Sequence, residues 1–430
     1  MSDVTRRSFV QTSAGVAAAA APAFLQAQNT NNKVRVGWIG VGGRGAYCLK
    51  AMLESNKDSV VTTAVCDTYE GALNNGKDIV QTVGGNTPKT YKDYKDLLAD
   101  KDIDAIVIMT PEHLHFPMTM DGLRAKKHIY VEKPLSHLVE EGFQIVDLAA
   151  KTDVVTQVGT QNRSNKLYQA AKELIGEGKI GDVHYVRAFW YRNFTEKQLG
   201  APRPWRYVIP EDTTPANTDF SRFLGGEAPA RPYSKERYFQ WRNYWDYSSG
   251  ISTDLLVHQT DISNFILSNP LPTQCMASGG IYRWNDGREV PDCLSAIYEY
   301  PNKFHLNYSS YFGNKYFDYG EQFLGDFGMI EVIGRKKLRY FPEDFGAAMN
   351  PERLKGLKPM ELDYIKDFSQ PDATHAHFVN WVKAIQGKEK AIAPVSVGQE
   401  AAIPGHMATQ SYRRGKKVTW DAKNRKFIYG

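Results

Sequence analysis

Short apolar runs alternate with segments of helical spacing through the first part of the chain. Apolar runs typical of strands in a parallel sheet that is covered on both faces occur at 34–39, 60–66, 105–109, 128–131 and 154–159. Helices are predicted between them at 46–55, 91–98 and 136–151, and another begins near residue 112. Because parallel strands need a crossover connection, usually a helix, this alternation predicts a series of βαβ units.

The pattern changes after residue 160. A helix is predicted at 165–177, and alternating apolar and polar residues from 183 onward predict antiparallel strands, including a hairpin at 294–311. The same sheet continues at 322–324 and 329–333, and helices at 377–386 and 397–412 close the chain. A chain of 430 residues with 42% apolar content is expected to form two domains. We therefore predict an α/β domain at 33–160 and an α+β domain with a largely antiparallel open sheet at 161–430.

A glycine motif follows the first predicted strand directly. Its G-x-G-x-x-G pattern comprises Gly40, Gly42, Gly43, Arg44 and Gly45. The first glycine permits a tight turn, the second lets the backbone approach a pyrophosphate, and the last allows the helix to pack closely on the strand. The next strand ends in Asp67, and an acid about 20 residues past the glycines can bind the adenosine ribose and repel a 2′-phosphate. This context predicts a Rossmann domain that binds NAD rather than NADP. The alternative is a glycine-rich surface turn followed by an unrelated aspartate.

The first 30 residues have the pattern of a twin-arginine export signal. Arg6 and Arg7 precede Phe9 and an alanine-rich apolar run that continues to about Ala23. That run is too short and too weakly apolar for a membrane span, so no stable membrane anchor is expected. The alternative is a basic N-terminus without a targeting role. Twin-arginine export predicts a periplasmic protein that crosses the membrane already folded around its NAD.

Charge and ligand spacing argue against nucleic acid and against a metal. The formal net charge is only +5, and no long basic cluster follows the signal. The histidine pairs at 113 and 115 and at 375 and 377 have no carboxylate or cysteine at recognisable ligand spacing, so no metal site is expected. The four cysteines are expected to be buried thiols: Cys48, Cys66, Cys275 and Cys293. The alternative, in an oxidising compartment, is a disulfide between Cys275 and Cys293.

Polar residues follow the predicted parallel strands at their carboxyl ends. They are Thr110, His115, Glu132, Lys133 and Gln161. Because cofactor and catalytic groups gather at this edge of open α/β sheets, all five are predicted to contact NAD. Arg163, two residues beyond Gln161, is predicted to contact the substrate. The alternative for Lys133 is a solvated lysine paired with Glu132.

The glycine motif, Thr110-Pro111 with His115, and Glu132-Lys133-Pro134 resemble the Gfo/Idh/MocA oxidoreductase family in their order and spacing. The resemblance covers essentially everything after the signal, and Glu-Lys-Pro is its most specific mark. It implies that Lys133 lies beside the nicotinamide ring and the substrate hydroxyl, and that a cis peptide precedes Pro134. An ammonium in that position would lower the pKa of the hydroxyl and relay its proton.

A long loop at 193–249 carries aromatic, arginine and amide side chains. Aromatic faces with forked donors suit sugar rings, and loops of this length are usually functional. We predict that Trp241, Arg242 and Tyr244 contact a sugar. The alternative is a small aromatic core under the loop or a subunit contact. Residues 238–247 also resemble the subgroup of the family that has a bacterial-type second domain.

The segment just after this loop places Asp254, His258 and Asp261 on one face of a predicted helix. The resemblance implies that His258 is the acid/base at the substrate hydroxyl, with Asp254 four residues before it to orient the imidazole. Leu256 stands where the family usually has glycine. Two alternatives stay open: Asp261 touches the substrate instead, or His258 is a core residue. The predicted catalytic residues are therefore Lys133, His258 and Asp254, all three also in contact with the substrate.

The combined interpretation is an exported oxidoreductase that transfers hydride between a sugar, or a sugar derivative, and tightly bound NAD. The runner-up is a redox-neutral NAD-dependent glycosidase that oxidises its substrate, eliminates the aglycone and reduces the product. A third class is a non-catalytic, NAD-bound sugar-binding protein. The intact Glu-Lys-Pro favours the oxidoreductase. The expected partner is a small-molecule sugar, no nucleic acid is expected, and we expect the chain to form a homo-oligomer.

Overall fold

The structure is a computed structural model that describes residues 33–193, 203–268, 271–344, 351–370 and 372–430. The predicted export signal lies outside the described residues, as do positions 194–202 of the long loop. No helix within these described ranges has both the length and the apolar character that crossing a membrane requires.

A parallel sheet with helices on both faces forms the first part of the fold. In chain order its elements are β1 (Val34–Ile39), α1 (Gly43–Ser55), β2 (Val60–Cys66), α2 (Glu70–Ile79), β3 (Lys89–Tyr91), α3 (Tyr94–Ala99), β4 (Ala105–Ile108), α4 (His115–Arg124), β5 (His128–Val131), α5 (Val139–Ala149) and β6 (Thr156–Val158). The strand order β3-β2-β1-β4-β5-β6 places the topological switch point between β1 and β4. Apolar clusters fill both faces of the sheet. The predicted Rossmann fold is confirmed.

Two short elements differ from the prediction for the region before β4. Residues 91–98 were predicted as one helix, but β3 ends at Tyr91 and α3 begins at Tyr94 after an Asp93 cap. The sequence of β3 has no apolar pattern, because Lys89 and Thr90 are exposed at the edge of the sheet. Edge strands lack the apolar run that burial on both faces imposes on central strands.

A second, mostly antiparallel sheet forms the rest of the fold. In chain order its elements are α6 (Lys166–Gly176), β7 (Val183–Tyr191), α7 (Phe220–Leu224), α8 (Lys235–Phe239), α9 (Val257–Leu267), β8 (Gln274–Gly280), β9 (Cys293–Glu299), β10 (His305–Tyr311), β11 (Tyr319–Gly325), β12 (Gly328–Ile333), β13 (Lys337–Pro342), α10 (Pro351–Leu354), β14 (Met360–Asp363), α11 (Tyr364–Phe368), α12 (Ala373–Ile385), α13 (Val395–Arg414), β15 (Val418–Asp421) and β16 (Lys426–Tyr429). The sheet order is β14-β13-β12-β11-β7-β10-β9-β8-β15-β16. β9 and β10 form the predicted hairpin, whereas β7 and β10 run parallel. The predicted α+β domain with a largely antiparallel sheet is confirmed.

Helix α12 packs against the first sheet, although it follows the second sheet in sequence. Phe378 and Trp381 belong to the same apolar cluster as Trp38 of β1. The ring of Phe378 stacks on that of Tyr130 in β5, with 4.5 Å between centroids. The chain therefore returns to complete the core of the first sheet, and the domain limits predicted from sequence stay a prediction.

Candidate functional site

The glycines of the motif serve two purposes: Gly40 and Gly45 allow close backbone packing, whereas the backbone at Gly42 and Gly43 faces open space. Gly40 has a φ of +89°, and a Cβ there would lie 2.8 Å from the backbone of Met109. A Cβ on Gly45 would collide with the carbonyl oxygen of Gly40, so this glycine brings α1 close to β1. Side chains at Gly42 and Gly43 would meet no heavy atom within 4 Å. The open backbone lies at the beginning of α1, where free N–H groups favour an anion.

Asp67 holds the glycine loop in place from the end of β2. Its carboxylate accepts hydrogen bonds from the backbone N–H of Val41 (2.7 Å) and of Tyr69 (2.9 Å). The hydroxyl of Tyr238, from α8 in the long loop, donates to the same carboxylate at 3.3 Å. Burial raises the pKa of Asp67, and these three donors oppose that shift. The predicted ribose-binding acid is thus fixed beside the glycine loop, with a residue of the second domain closing over it.

A cavity of about 1110 Å³ opens between the glycine loop and the long loop. On one side it is lined by Gly40, Gly42, Gly43, Arg44, Asp67 and Thr110. On the other side it is lined by Tyr207, Val208, Tyr238, Phe239, Trp241 and Arg242. A large cavity, open glycine backbone at a helix start and a carboxylate at the second strand end all fit a dinucleotide. These residues would hold NAD.

Arg44, Glu132 and Gln161 form one hydrogen-bonded group beside the glycine loop. Arg44 Nε donates to Glu132 Oε1 at 3.1 Å, and Glu132 Oε2 accepts from the backbone N–H of Lys133 at 3.0 Å. With the Gln161 amide oriented to satisfy both of its groups, its oxygen accepts from Arg44 Nη2 at 3.2 Å. Glu132 therefore fixes the turn that carries Lys133, and its partner is Arg44 rather than the Lys133 ammonium.

His115 connects two of the strand-end loops. Its Nδ1 lies 2.6 Å from the carbonyl oxygen of Pro134, and its Nε2 lies 2.9 Å from that of Thr110. The ring is buried, which lowers the pKa of His115. Because both ring nitrogens face backbone carbonyls, the structure supports a positioning role for His115 in place of the predicted contact with NAD. The Lys133–Pro134 peptide is cis, as the family resemblance implied.

Lys133 reaches from the first domain to Asp254 of the second. Its Nζ donates to the Asp254 carbonyl oxygen at 2.6 Å and to Oδ1 at 2.9 Å, and its side chain is only 9% exposed. Arg242 Nε donates to the same Oδ1 at 3.1 Å. Burial would raise the pKa of Asp254, but the charges of Lys133 and Arg242 outweigh it and hold the pKa well below its ordinary value. The alternative of a solvated lysine paired with Glu132 is excluded.

His258 follows Asp254 by four residues, but the two side chains do not form a hydrogen bond. A π-helical turn, Ser252–Leu256, precedes α9. Because π-helical hydrogen bonds run to the fifth residue, a spacing of four no longer stacks two side chains, so the predicted Asp254–His258 contact is wrong. His258 Nδ1 is buried without a hydrogen-bond partner in the described part of the chain. The ring is 6% exposed, and burial holds the pKa of His258 well below its ordinary value.

Arg163 and Asp261 are paired with each other. Arg163 Nε lies 2.8 Å and 3.0 Å from the two carboxylate oxygens of Asp261, and Asp261 is only 1% exposed. The guanidinium also lies 5.2 Å from the centroid of the Phe265 ring. The predicted substrate contact by Arg163 is therefore not supported, nor is the alternative in which Asp261 touches the substrate. A buried arginine and a buried carboxylate on neighbouring elements satisfy one another.

The three predicted sugar contacts from the long loop separate into two groups. Trp241 and Arg242 line the cavity, with the Arg242 guanidinium 4.1 Å from the Trp241 ring centroid. Tyr244 is buried in an aromatic cluster with Phe223 and Tyr247, and its hydroxyl accepts from Arg206 Nη1 at 3.0 Å. For Tyr244 the alternative of a small core under the loop is correct.

Family models match both domains of the chain. The model described as "Oxidoreductase family, NAD-binding Rossmann fold" matches residues 34–160. The model described as "Oxidoreductase family, C-terminal alpha/beta domain" matches residues 229–420. The chain belongs to the Gfo/Idh/MocA oxidoreductase family. Its Rossmann domain is the NAD-binding domain of that family.

The chain is also similar to two curated proteins named "Glycosyl hydrolase family 109 protein". The one from Shewanella pealeana is 42% identical over 183 residues, covering 40% of this chain and 39% of that protein. The one from Shewanella amazonensis is 30% identical over 239 residues, covering 48% of this chain and 50% of that protein. The chain thus spans half or less of the length of these relatives.

Solved structures of similar fold cover nearly the whole chain. A levoglucosan dehydrogenase in complex with NADH and levoglucosan has a TM-score of 0.67 and 16% identity, covering 90% of this chain and 99% of its own. The WlbA dehydrogenase from Bordetella pertussis, in complex with NADH and UDP-GlcNAcA, has a TM-score of 0.65 and 18% identity, covering 91% and 100%. At these identities the likeness shows the Gfo/Idh/MocA fold.

Glu112, predicted only to begin a helix, connects two loops of the site. Its buried carboxylate accepts hydrogen bonds from Ser248 Oγ (2.7 Å), the Ser249 N–H (3.1 Å) and Thr253 Oγ1 (2.8 Å). It thereby ties the strand-end loop after β4 to the segment that carries Asp254. Its position in the loop that follows the carboxyl end of β4 was the available signal.

The cysteines and the histidine pairs outside the site are structural. All four cysteines are free thiols, and Cys293 is the partly exposed one. His113 packs against Phe223, and His377 lies between Val158 O and Ser164 Oγ. Among the residues that the structure describes, no three potential metal ligands come together.

Proposed function

We propose that this chain is an NAD-dependent oxidoreductase acting on a sugar or sugar derivative, with Lys133 and His258 handling the proton of the reacting hydroxyl. The observation that carries the proposal is the hydrogen bond from Lys133 to Asp254, which brings the first domain's strand-end lysine to the π-helical turn that leads into the helix of His258. The family membership and the two solved dehydrogenases with sugar-type ligands support it.

The protonation states of these residues suit that role. Asp254 accepts two hydrogen bonds from Lys133 Nζ, which leaves the third N–H of the ammonium for a substrate oxygen. Because its pKa is depressed, His258 is neutral near pH 7 and its ring can accept the hydroxyl proton. Bound NAD would supply the hydride acceptor. Asp254 would position Lys133 and Arg242 rather than orient the imidazole.

The test measures reduction of bound NAD with candidate sugars in stopped flow. Lys133→Met and His258→Asn should each slow nicotinamide reduction by at least ~10²-fold, the usual scale for a positioned acid or base. Sugar affinity should change far less, because proton transfer contributes chiefly to the transition state. Lys89→Met and His184→Asn are matched controls, since both side chains are exposed and ion-paired on the surface. Wild-type rates in His258→Asn would show that the histidine is structural.

A redox-neutral glycosidase is the second candidate. The similarity to the curated glycosyl hydrolase family 109 proteins favours it. Such an enzyme would release nitrophenol from a nitrophenyl glycoside without net accumulation of NADH. An oxidoreductase would instead reduce its bound NAD with the free sugar and release no aglycone. The two assays, run on the same NAD-bound protein, separate the candidates.

We also propose that the protein is exported to the periplasm with NAD in place. The Arg6-Arg7 pattern motivates export, and the contact of Tyr238 with Asp67 supports tight retention because it closes the long loop over the cofactor cavity. When protein purified from the periplasm is denatured, it should release about as many molecules of NAD(H) as there are protein chains. Replacing both arginines by lysine should keep the protein in the cytoplasm. Periplasmic protein that is stable, empty and binds NAD only weakly would contradict the proposal.

A further inference from the structure

Two arginines of the second domain lie against one aromatic pair at the end of β7. The rings of Trp190 and Tyr319 stack with 4.6 Å between centroids and 18° between planes. The Arg192 guanidinium carbon lies 4.6 Å from the Trp190 centroid. That of Arg335 lies 5.0 Å from the same centroid and 5.1 Å from that of Tyr319. Two cations therefore share one aromatic surface.

These two arginines have no carboxylate within 4.0 Å in the described ranges, unlike other partly buried arginines of the same domain. Arg237 pairs with Asp246, Arg242 with Asp254 and Arg288 with Asp286. In contrast, Nε and Nη2 of Arg335 are buried without a hydrogen-bond partner in the described part of the chain. Leaving such donors unpaired is costly, because the buried N–H groups lose their hydrogen bonds to water and gain none in return.

The arginine pair lies beside the proposed reaction site. The ring centroids of Trp190 and His258 are 5.8 Å apart. After burial, the charge of Arg335 is the largest cause of the depressed pKa of His258. The indole Nε1 of Trp190 is also buried without a partner among the described residues. A ligand lying against His258 would therefore lie near the two guanidinium groups that pack on Trp190.

We propose that Arg192 and Arg335 bind an oxyanion carried by the substrate, so that the enzyme acts on an acidic sugar. The planar fork of arginine matches a carboxylate, sulfate or phosphate oxygen pair and is the strongest neutralising partner for it. This inference rests on the proposed function, because it takes the sugar to lie beside His258.

The test compares acidic sugars with their neutral counterparts on the NAD-bound protein. Calorimetry would measure the affinities for glucuronate, glucose 6-sulfate, glucose 6-phosphate and glucose. At least one acidic sugar should bind about 10-fold or more tightly than glucose, the scale expected of charge-assisted hydrogen bonds. The preferred acid identifies the oxyanion. Arg192→Gln and Arg335→Gln should each lose this preference.

Arg283→Gln is the matched control. Arg283 also lies against a tryptophan, 4.8 Å from the Trp284 centroid, but it is exposed in the loop between β8 and β9. Replacing Arg283 should leave the preference for acidic sugars intact. The NAD content of each purified variant shows whether that variant has folded. Equal binding of acidic and neutral sugars, or a preference that survives in both variants, would overturn the inference.

The two proposals fail in different ways. If neutral sugars reduce the bound NAD as fast as acidic ones, and the arginine variants do too, the oxidoreductase stands and the oxyanion site falls. If an acidic sugar binds through Arg192 and Arg335 but no sugar reduces the nicotinamide, the oxyanion site stands and the oxidoreductase falls.

Discussion

Glu321 on β11 is a buried carboxyl whose removal should stabilise the protein. It is only 1% exposed, and its Oε2 accepts a hydrogen bond from the Tyr168 hydroxyl at 2.7 Å. Oε1 is buried without a partner in the described ranges. Burial raises the pKa of Glu321 to about 7, while the Tyr168 hydroxyl and the Arg335 charge act in the opposite direction. Ionisation of this carboxyl therefore opposes folding at neutral pH.

The magnitude follows from the two pKa values. The pKa is about 7 in the fold against an ordinary 4.5, and each unit corresponds to about 1.4 kcal/mol. Because the folded protein binds the proton more tightly than the unfolded chain, stability falls as the pH rises between these values and then levels off. Above pH 7 the ionised carboxyl lowers the free energy of unfolding by about 3 kcal/mol. Glu321→Gln keeps a hydrogen-bond acceptor for Tyr168 and removes the charge, so it should recover much of this free energy.

The assay is urea unfolding of the NAD-bound protein across this pH range. The Glu321→Gln midpoint should exceed the wild-type midpoint at pH 8, and the two should converge towards pH 4.5, the ordinary pKa of the group. Glu331→Gln is the control, because Glu331 is also buried but is ion-paired with Arg339 at 3.2 Å. Its replacement should not raise the midpoint. Parallel pH profiles for Glu321→Gln and wild type would refute the reasoning and show that Arg335 neutralises an ionised Glu321.

Two further predictions test single residues of the site. Asp67→Ala should weaken NAD binding by ~1–3 kcal/mol and narrow the gap between NAD and NADP, measured by equilibrium dialysis, since a charged acceptor is lost; an unchanged preference would mean that another residue selects the ribose. Arg163→Met should lower the free energy of unfolding by about 3–5 kcal/mol in urea titrations, because it leaves the Asp261 carboxylate buried and unpaired. If Arg163→Met instead retains its stability and loses NAD reduction, Arg163 contacts the substrate after all.

The sequence by itself determined the first domain and its cofactor. β2 and β5 have the predicted bounds, and Gly40, Gly45 and Asp67 take the positions expected of them. The reason is local: each parallel strand is a continuous apolar run, and its carboxyl end must meet its neighbours at one edge of the sheet. Residues at that edge are brought together whatever the rest of the chain does.

Only the tertiary structure decided which charges pair at the site and in the second domain. Lys133 and Asp254 are 121 residues apart, and Arg163 and Asp261 are 98 apart. A buried charge takes the partner that packing brings nearest, and helical spacing alone cannot identify it. The π-helical turn shows the same limit, because one wider turn separates Asp254 from His258. The unpaired Arg192 and Arg335 likewise become a site only when β7 and the turn after β12 bring them to one tryptophan.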